Sequence, residues 1–498
     1  VSRRLGALAS IILLLFALVA VQAASIQFFR AAALDKSPIN PRVTTASTQF
    51  ARGEIVAADG TILAQSLAQS SGFYPYRRIY PLGALTSGVV GFSGPSYGNW
   101  ALEAQYDSNL TAHEQPPQSF AQLLAPTSAA DSITLTLQPA LQRIAASKLA
   151  GRDGAAVVLD PRTGAVLAMY SNPNYNPTPL TSPSFKVAAA AWKIYTKNNA
   201  LGFPPLGLVA TQQTFAPGSS FKVVTTAAAV VGRQDLLSKS YPTLTQTTLP
   251  NTNKTLANFG FGTCGGTVPQ MLPPSCDTGY ALLGLDLGGQ LMSATADAFG
   301  YNQVPPLDLP GVVPSYFPPA SAFQYDLPGL AYSSIGQKNV RTTALQNALV
   351  AAAIGNNGVM MTPHLLDHIN GPDGTAVKRY IPKAWLTPLT PSQAQQIVPL
   401  MQNVVKNGTA YGIFLPADDV AAKTGTAQVG DGKHTHDWMI AFAPASAPTV
   451  AVAVVLPWQP ISATGASYVG PIIKCLVEGA LALQSHQAPT GTSTTCSK

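Results

Sequence analysis

The chain has 498 residues, only 10% of them Asp, Glu, Lys or Arg, and a formal net charge of +7. That length allows more than one domain and a large core without the staples a small domain needs. Its basic residues are scattered instead of gathered into the phosphate-facing patch that nucleic-acid binding requires, so a nucleic-acid partner is not expected.

In chain order, Arg3 and Arg4 precede Leu5–Ala24, LGALASIILLLFALVAVQAA. A run of this length reaches across a hydrocarbon core of about 30 Å, and a basic flank favours the cytoplasmic side. Residues 1–4 are therefore expected to be a cytoplasmic stub and residues 5–24 a single-pass anchor in the cell membrane, with everything after residue 25 extracytoplasmic. A cleaved signal peptide is the rival reading, since VQAAS carries small residues, but the apolar run is long for one. Later apolar runs such as VAVAVVLP are short and suit strands of a soluble core.

Residues 25–130 mix short strand-like pieces and turns, and are expected to form a small accessory domain. Within them ARGEIVAADGTILAQS reads as strand, Asp59-Gly60 turn, strand. Gln115–Ala130, rich in Pro, Ser, Gln and Ala, marks a linker or loop. DSITLTLQPALQRIAASKLA then predicts a strand and an amphipathic helix starting near Pro139, and a second domain over residues 131–485.

GAAVVLDPRTGAVLAMYSNP predicts a hairpin turning at Asp160–Gly164. AAKTGTA, WMIAFAPA and TVAVAVVLP predict three further strands, followed by a helix in IIKCLVEGALAL. These sequence-distant strands suggest one antiparallel sheet with helices packed on it, an α+β fold. The intervening residues, about 180–410, read as mainly helix and loop, with Gly358 a plausible stop for the helix in TALQNALVAAAIGNNG. The tail, residues 486–498, has little to bury and is expected to be flexible.

Four cysteines, Cys264, Cys276, Cys475 and Cys496, follow the expected anchor. An extracytoplasmic setting permits disulfides; the nearness of Cys264 and Cys276 allows a local one, while the sequence selects among none of the possible pairings.

The chemistry starts at FAPGSSFKVV, residues 215–224. Pro217 and Gly218 break regular structure, and a helix is expected to follow with Ser219 at its entrance. Residues three apart share a helix face, so the Lys222 amine can point back at the Ser219 hydroxyl. A serine hydroxyl is a weak nucleophile until a base takes its proton, and a lysine serves only when its surroundings lower its pKa. The bland alternative is a helix cap with a solvated lysine.

A second element, AKTGTAQV, reads as a strand edge carrying Lys423, Thr424, Gly425 and Thr426. Such an edge can hold a peptide by strand addition while the ammonium receives a terminal carboxylate. The backbone N–H groups of Ser219 and Thr426 could then hold an oxyanion. The third element, Ser275-Cys276-Asp277, supplies a hydroxyl that could relay a proton and a carboxylate that could orient Lys222 or a substrate amide.

His434-Thr435-His436-Asp437 and the His364/His368 pair offer side chains that can ligate a metal. Neither belongs to a ligand pattern typical of a catalytic zinc; the first reads as a solvated loop and the second as a pair at helical spacing. No metal or cofactor is expected.

Taken in the order Ser-x-x-Lys, Ser-x-Asp, Lys-Thr-Gly, these elements resemble the motifs of the monofunctional, class B penicillin-binding proteins, peptidoglycan D,D-transpeptidases, and look most like the actinobacterial penicillin-binding protein A group. RGEIVAADGTILAQS, YPLGALTSGVVGFSG, ALEAQYDSNL, DPRTGAVLAMYSNPNYNP and YSSIGQKNVRTTALQNALVAAAIGNNG are also of that type, so the resemblance spans about residues 45–483. It implies a five-stranded antiparallel sheet flanked by helices, with a helical subregion that contributes Ser219 and Ser275, and an accessory dimerisation or pedestal-like domain. It also implies Ser219 as acylated nucleophile, Lys222 as base, Lys423 and Thr424 at the donor carboxylate, and Thr426 at the acyl site. The implied substrates are stem peptides ending in D-Ala-D-Ala, the implied inhibitors β-lactams, and the implied partners a glycosyltransferase of the elongation or division machinery. A D,D-carboxypeptidase or β-lactamase would hand the acyl group to water, and a non-catalytic scaffold would lack turnover.

The family's second motif ends in Asn where this chain has Asp277. An ionised carboxylate only accepts hydrogen bonds, and it is expected to favour a protonated Lys222 and raise its pKa.

Overall fold

The computed structural model describes residues 2–26, 50–70, 74–114, 128–414, 418–485 and 496. The first helix, α1, is Ser2–Ala24 and contains the apolar run; its described side chains, Leu13 and Phe16 among them, stand exposed. Among the described residues, the helical stretch long and apolar enough to cross a membrane is Gly465–Gln484, which is half buried in the protein and serves as a core helix.

Two sheets organise the rest. Strands β1 (Ile55–Val56), β2 (Ile62–Ala68) and β3 (Tyr76–Ile79) open the chain's first sheet, with Asp59 and Gly60 at the β1–β2 turn as expected. Next come β4 (Ser132–Leu135), helix α2 (Pro139–Lys148), and the hairpin β5 (Gly154–Leu159) and β6 (Val166–Asn172). Helices α3 (Lys222–Gly232), α4 (Asp277–Ala298) and α5 (Ala344–Gly355) precede strands β7 (Leu366–Asn370) and β8 (Ala376–Arg379) and helix α6 (Pro391–Asn407). Strands β9 (Ala421–Gln428), β10 (His434–Ala443) and β11 (Val450–Pro460) and helix α7 (Gly470–Gln484) complete the order.

The second sheet runs β6-β5-β11-β10-β9, every neighbour antiparallel, as the sequence predicts. Strand β5 is buried at every residue, and β11 through its first eight. Such strands need cover on both faces: α5 packs on β5, β10 and β11, while α2 and α7 pack on each other, α2 also on β6 and α7 on β10 and β11. Strand β9 is left at the edge.

The first sheet, β8-β7-β4-β1-β2-β3, crosses the boundary expected at residue 130. Strands β4, β7 and β8 come from beyond it, β4 pairing with β1 in parallel and β7 antiparallel with β4. The accessory region therefore takes half its sheet from the second domain's sequence. Of the expected linker, residues 115–127 lie outside the described residues, while Ser128–Ala129 pairs with His113–Glu114.

Other local expectations are corrected. The region 180–410 contains small hairpins as well as helices, including Gln246–Thr248 with Thr255–Ala257. The His434–Asp437 segment is strand, with His436 and Asp437 buried, because pairing with β9 and β11 overrides its polar composition. His364 and His368 lie on extended backbone around β7, not on a helix; His364 stacks on Tyr380 and His368 pairs with Asp367. Both cysteine pairs are bonded, Cys264–Cys276 and Cys475–Cys496. The tail is therefore tied to α7 at Cys496; its other residues lie outside the described ones.

Candidate active site

Three segments distant in sequence meet at the open edge of β9. The first is a 3-10 turn, Gly218–Phe221, that leads directly into α3. Gly218 has φ +54°, and a Cβ on it would lie 2.7 Å from the Thr426 carbonyl oxygen. Across the contact, a Cβ on Gly425 would lie 2.6 Å from the Pro217 carbonyl oxygen. Two glycines thus let the turn press against the strand, which brings Ser219 beside Thr426.

Buried polar groups fasten that turn. Trp438 Nε1–H donates to the Ala216 carbonyl (2.9 Å), Ser220 Oγ to the Pro217 carbonyl (2.8 Å), and Asn347 Nδ2 to Ser220 Oγ (3.1 Å). None of these helpers stands out in the sequence, because each acts through a contact with a remote element.

Ser275 precedes α4 at φ +63°, a left-handed conformation uncommon for serine, and Asp277 opens that helix, where its negative charge suits the helix dipole. Lys222 is wholly buried; its Nζ donates to the Ser275 carbonyl (2.6 Å), to Asp277 Oδ1 (2.7 Å) and, at 3.3 Å, to Ser275 Oγ. Among the described residues no hydrogen bond joins Lys222 to Ser219 Oγ, so the lysine turns towards the second motif. Lys423 is also wholly buried, and its Nζ donates to Ser275 Oγ (2.8 Å) and to the Thr424 carbonyl (3.1 Å). The Ser275 hydroxyl therefore lies between two amines.

Burial pushes the Lys222 amine below the ordinary lysine range, with Asp277 opposing the shift. Asp277 does pull the Lys222 pKa upward as expected, but desolvation outweighs that pull. Lys423 is held well below the usual range by burial first and by the neighbouring Lys222 charge second, again against Asp277. Two buried lysines facing one carboxylate favour the loss of a proton.

The motifs border an open cleft of about 1550 Å³. Ser219, Ser275, Asp277, Thr424 and Thr426 line it, whereas Lys423 stays behind the surface. Thr409, which the sequence reading missed, reaches the same wall from beyond α6, its hydroxyl 2.6 Å from that of Thr424. The Cys264–Cys276 disulfide ties the 241–266 segment to this wall, and the Phe259 N–H donates to Asp277 Oδ2 (3.3 Å). A serine hydroxyl on a turn fastened to the strand, two depressed lysines sharing a second hydroxyl, and a strand edge with two threonines form a set suited to acyl transfer.

Comparison with known proteins agrees with that chemistry. Residues 154–478 match the penicillin binding protein transpeptidase domain, and residues 52–130 the penicillin binding protein A dimerisation domain. The chain is 34% identical to the peptidoglycan D,D-transpeptidase PbpA of Mycolicibacterium smegmatis, over 94% of this chain and 97% of the relative. It is 33% identical to PbpA of Mycobacterium tuberculosis over the same shares. The ceftriaxone acyl-enzyme complex of M. tuberculosis penicillin-binding protein A superposes with a TM-score of 0.79 at 31% identity, covering 88% of this chain and 100% of that one. The penicillin G acyl-enzyme complex gives 0.78 at 32%, covering 86% and 99%.

Proposed function

The chain belongs to the penicillin-binding protein transpeptidase family, and from that premise we propose that it is a serine-type peptidoglycan D,D-transpeptidase, acylated at Ser219 by stem peptides and by β-lactams. A stem peptide lies along β9 with its terminal carboxylate at the Thr424 and Thr409 hydroxyls. From behind that end, Lys423 holds the Thr424 carbonyl and the Ser275 hydroxyl. Neutral Lys222 takes the Ser219 proton as Oγ bonds to the carbonyl carbon between the last two D-alanines. The N–H groups of Ser219 and Thr426 hold the developing oxyanion. As the C–N bond breaks, the proton passes by way of Ser275 to the departing D-alanine amine.

The acyl-enzyme is then attacked by a side-chain amine of a second stem peptide, whose proton returns through Lys222 to Ser219 as the ester bond breaks. Transfer to water instead would make the protein a D,D-carboxypeptidase. Asp277 holds Lys222 in place without donating a hydrogen bond while ionised. We assign Leu5–Ala24 as a membrane anchor that keeps the cleft outside the cell membrane, and the accessory domain as the face presented to a glycosyltransferase partner.

The observation that carries this reading is the convergence of both lysine amines on Ser275 Oγ at 2.8 and 3.3 Å. Intact-mass spectrometry of the soluble ectodomain after incubation with benzylpenicillin tests it. The expected result is a one-to-one adduct mapped to Ser219 and absent from Ser219→Ala; a folded wild type without adduct would favour a non-catalytic scaffold.

A further inference from the structure

The donor's direction along β9 follows from the proposed function, on which this inference rests. With its terminal carboxylate at Thr424 and its reacting carbonyl at the Thr426 N–H, the rest of the donor continues past Thr426 towards Ala427 and Gln428. His436 pairs with Ala427 in the sheet register, so that end of the cleft begins at His436. The rings of Phe215 and Trp458 stand 5.1 and 5.6 Å from the His436 ring. Trp458 is held at φ +57°, a conformation a tryptophan keeps only when its surroundings impose it.

Arg341 is brought to this end by two antiparallel bridges, Phe215 with Thr342 and Tyr316 with Arg341. It lines the cleft half-buried. Its Nη1 donates to the carbonyls of Lys338 (2.7 Å) and Val340 (2.8 Å), which fixes the guanidinium plane, while among the described residues its Nε and Nη2 make no hydrogen bond. It also has no carboxylate partner among them: of the acids lining the cleft, Asp326 pairs with Lys338 and Asp277 with Lys222. Burial lowers the Arg341 pKa with no acid to offset it.

His436 complements this cation without adding charge. Burial first, and the nearby Arg341 second, push its pKa down to about 4, so it is neutral at pH 7. Its Nδ1 accepts the Trp458 N–H (3.3 Å), which assigns the ring proton to Nε2 as a donor.

We propose that Arg341, with the His436 Nε2–H beside it, forms a carboxylate subsite for the part of the acyl donor that precedes the reacting carbonyl. A planar, preorganised fork with a free edge is the geometry that receives a carboxylate through two N–H donors. The subsite selects stem peptides that carry an anionic side chain before the terminal D-alanines over those in which that group is amidated.

The test uses two acyl donors that differ by one carboxylate, benzylpenicillin and its α-carboxy derivative, since the side chain of a penicillin points along the same end of the cleft. Second-order acylation rate constants are measured for wild type, Arg341→Gln and Arg341→Lys. The expected result is that the rate ratio, α-carboxy over parent, falls about tenfold in Arg341→Gln and less in Arg341→Lys. An unchanged ratio, or an equal fall of both rates, overturns the subsite. Should the variants misfold, the wild type decides: added salt must slow the α-carboxy donor relative to the parent, and equal salt responses overturn the proposal. A wild type acylated by neither compound overturns the Ser219 reading itself.

Discussion

Two buried charge clusters stand out among the described residues, one beside each sheet. In the accessory region Glu103 accepts hydrogen bonds from Arg52 Nε (2.6 Å), Arg78 Nε (2.6 Å) and the Tyr80 hydroxyl (3.0 Å), and Arg52 also reaches Asp107 (2.6 Å). In the cleft, Lys222 and Lys423 face the single carboxylate of Asp277. The first cluster balances two arginines against two acids. The second is one negative charge short. Arginine cannot shed its proton, so the accessory cluster answers desolvation by pairing both guanidiniums with the Glu103 carboxylate, whereas lysine can, and burial favours that loss. On the proposed function, the paired arginines serve as a lock and the under-paired lysines as a reactive site.

Lys222→Met breaks the contrast with the largest effect. Stopped-flow acylation by benzylpenicillin is expected to slow by about 10²–10⁴, the range of a lost general base, while the thermal midpoint changes little. Glu103→Ala does the reverse. Two buried guanidiniums lose their common partner, so urea denaturation is expected to show a loss of about 3–5 kcal/mol with the acylation rate of folded protein retained. Because Arg78 and Arg52 overcome the upward push of burial and hold the Glu103 carboxyl below its usual value, its stabilisation is present above about pH 4.5 and is lost as pH falls through the lower folded value.

Asp437 is a buried acid that belongs to neither cluster. Burial pushes its pKa up to about 7, against a smaller downward pull from the Thr435 hydroxyl. The folded state therefore keeps this proton more tightly than the unfolded chain, and stability declines as pH rises from about 4 through 7. Asp437→Asn is expected to gain about 2 kcal/mol at pH 8 and little at pH 5, read as the difference in denaturation midpoints at the two pH values. Asp277→Asn gives the smallest effect. It removes the charge that opposes the depression of Lys222, so the pH profile of acylation is expected to move to lower pH, with a several-fold gain near pH 6.

Local signals were legible wherever a residue acts on its neighbours. Pro139 does start its helix, Asp59-Gly60 does turn its hairpin, and alternation or apolar runs mark β5, β6, β9, β10 and β11. The three motifs could be named from their spacing, but their meeting depends on contacts far apart in sequence: Lys423 Nζ finds Ser275 Oγ, and Trp438 finds the Ala216 carbonyl. The same distance hid β7 and β8 from the accessory sheet, and Thr409 from the cleft wall. His436 and Asp437 misled because polar residues suggest solvent until pairing with strands on both sides buries them. The direction of the Lys222 shift depended on burial, which no local pattern carries, and the anchoring of Cys496 on a partner inside α7.

The most direct test of the lysine account is the rate of Ser219 acylation by benzylpenicillin across pH. A base must be neutral to accept the serine proton, so the rate rises with pH and levels off once Lys222 has lost its own. With Lys222 held below its ordinary value of 10.5, the plateau is expected before that pH. A rate that keeps climbing about tenfold per pH unit up to about pH 10 would contradict it.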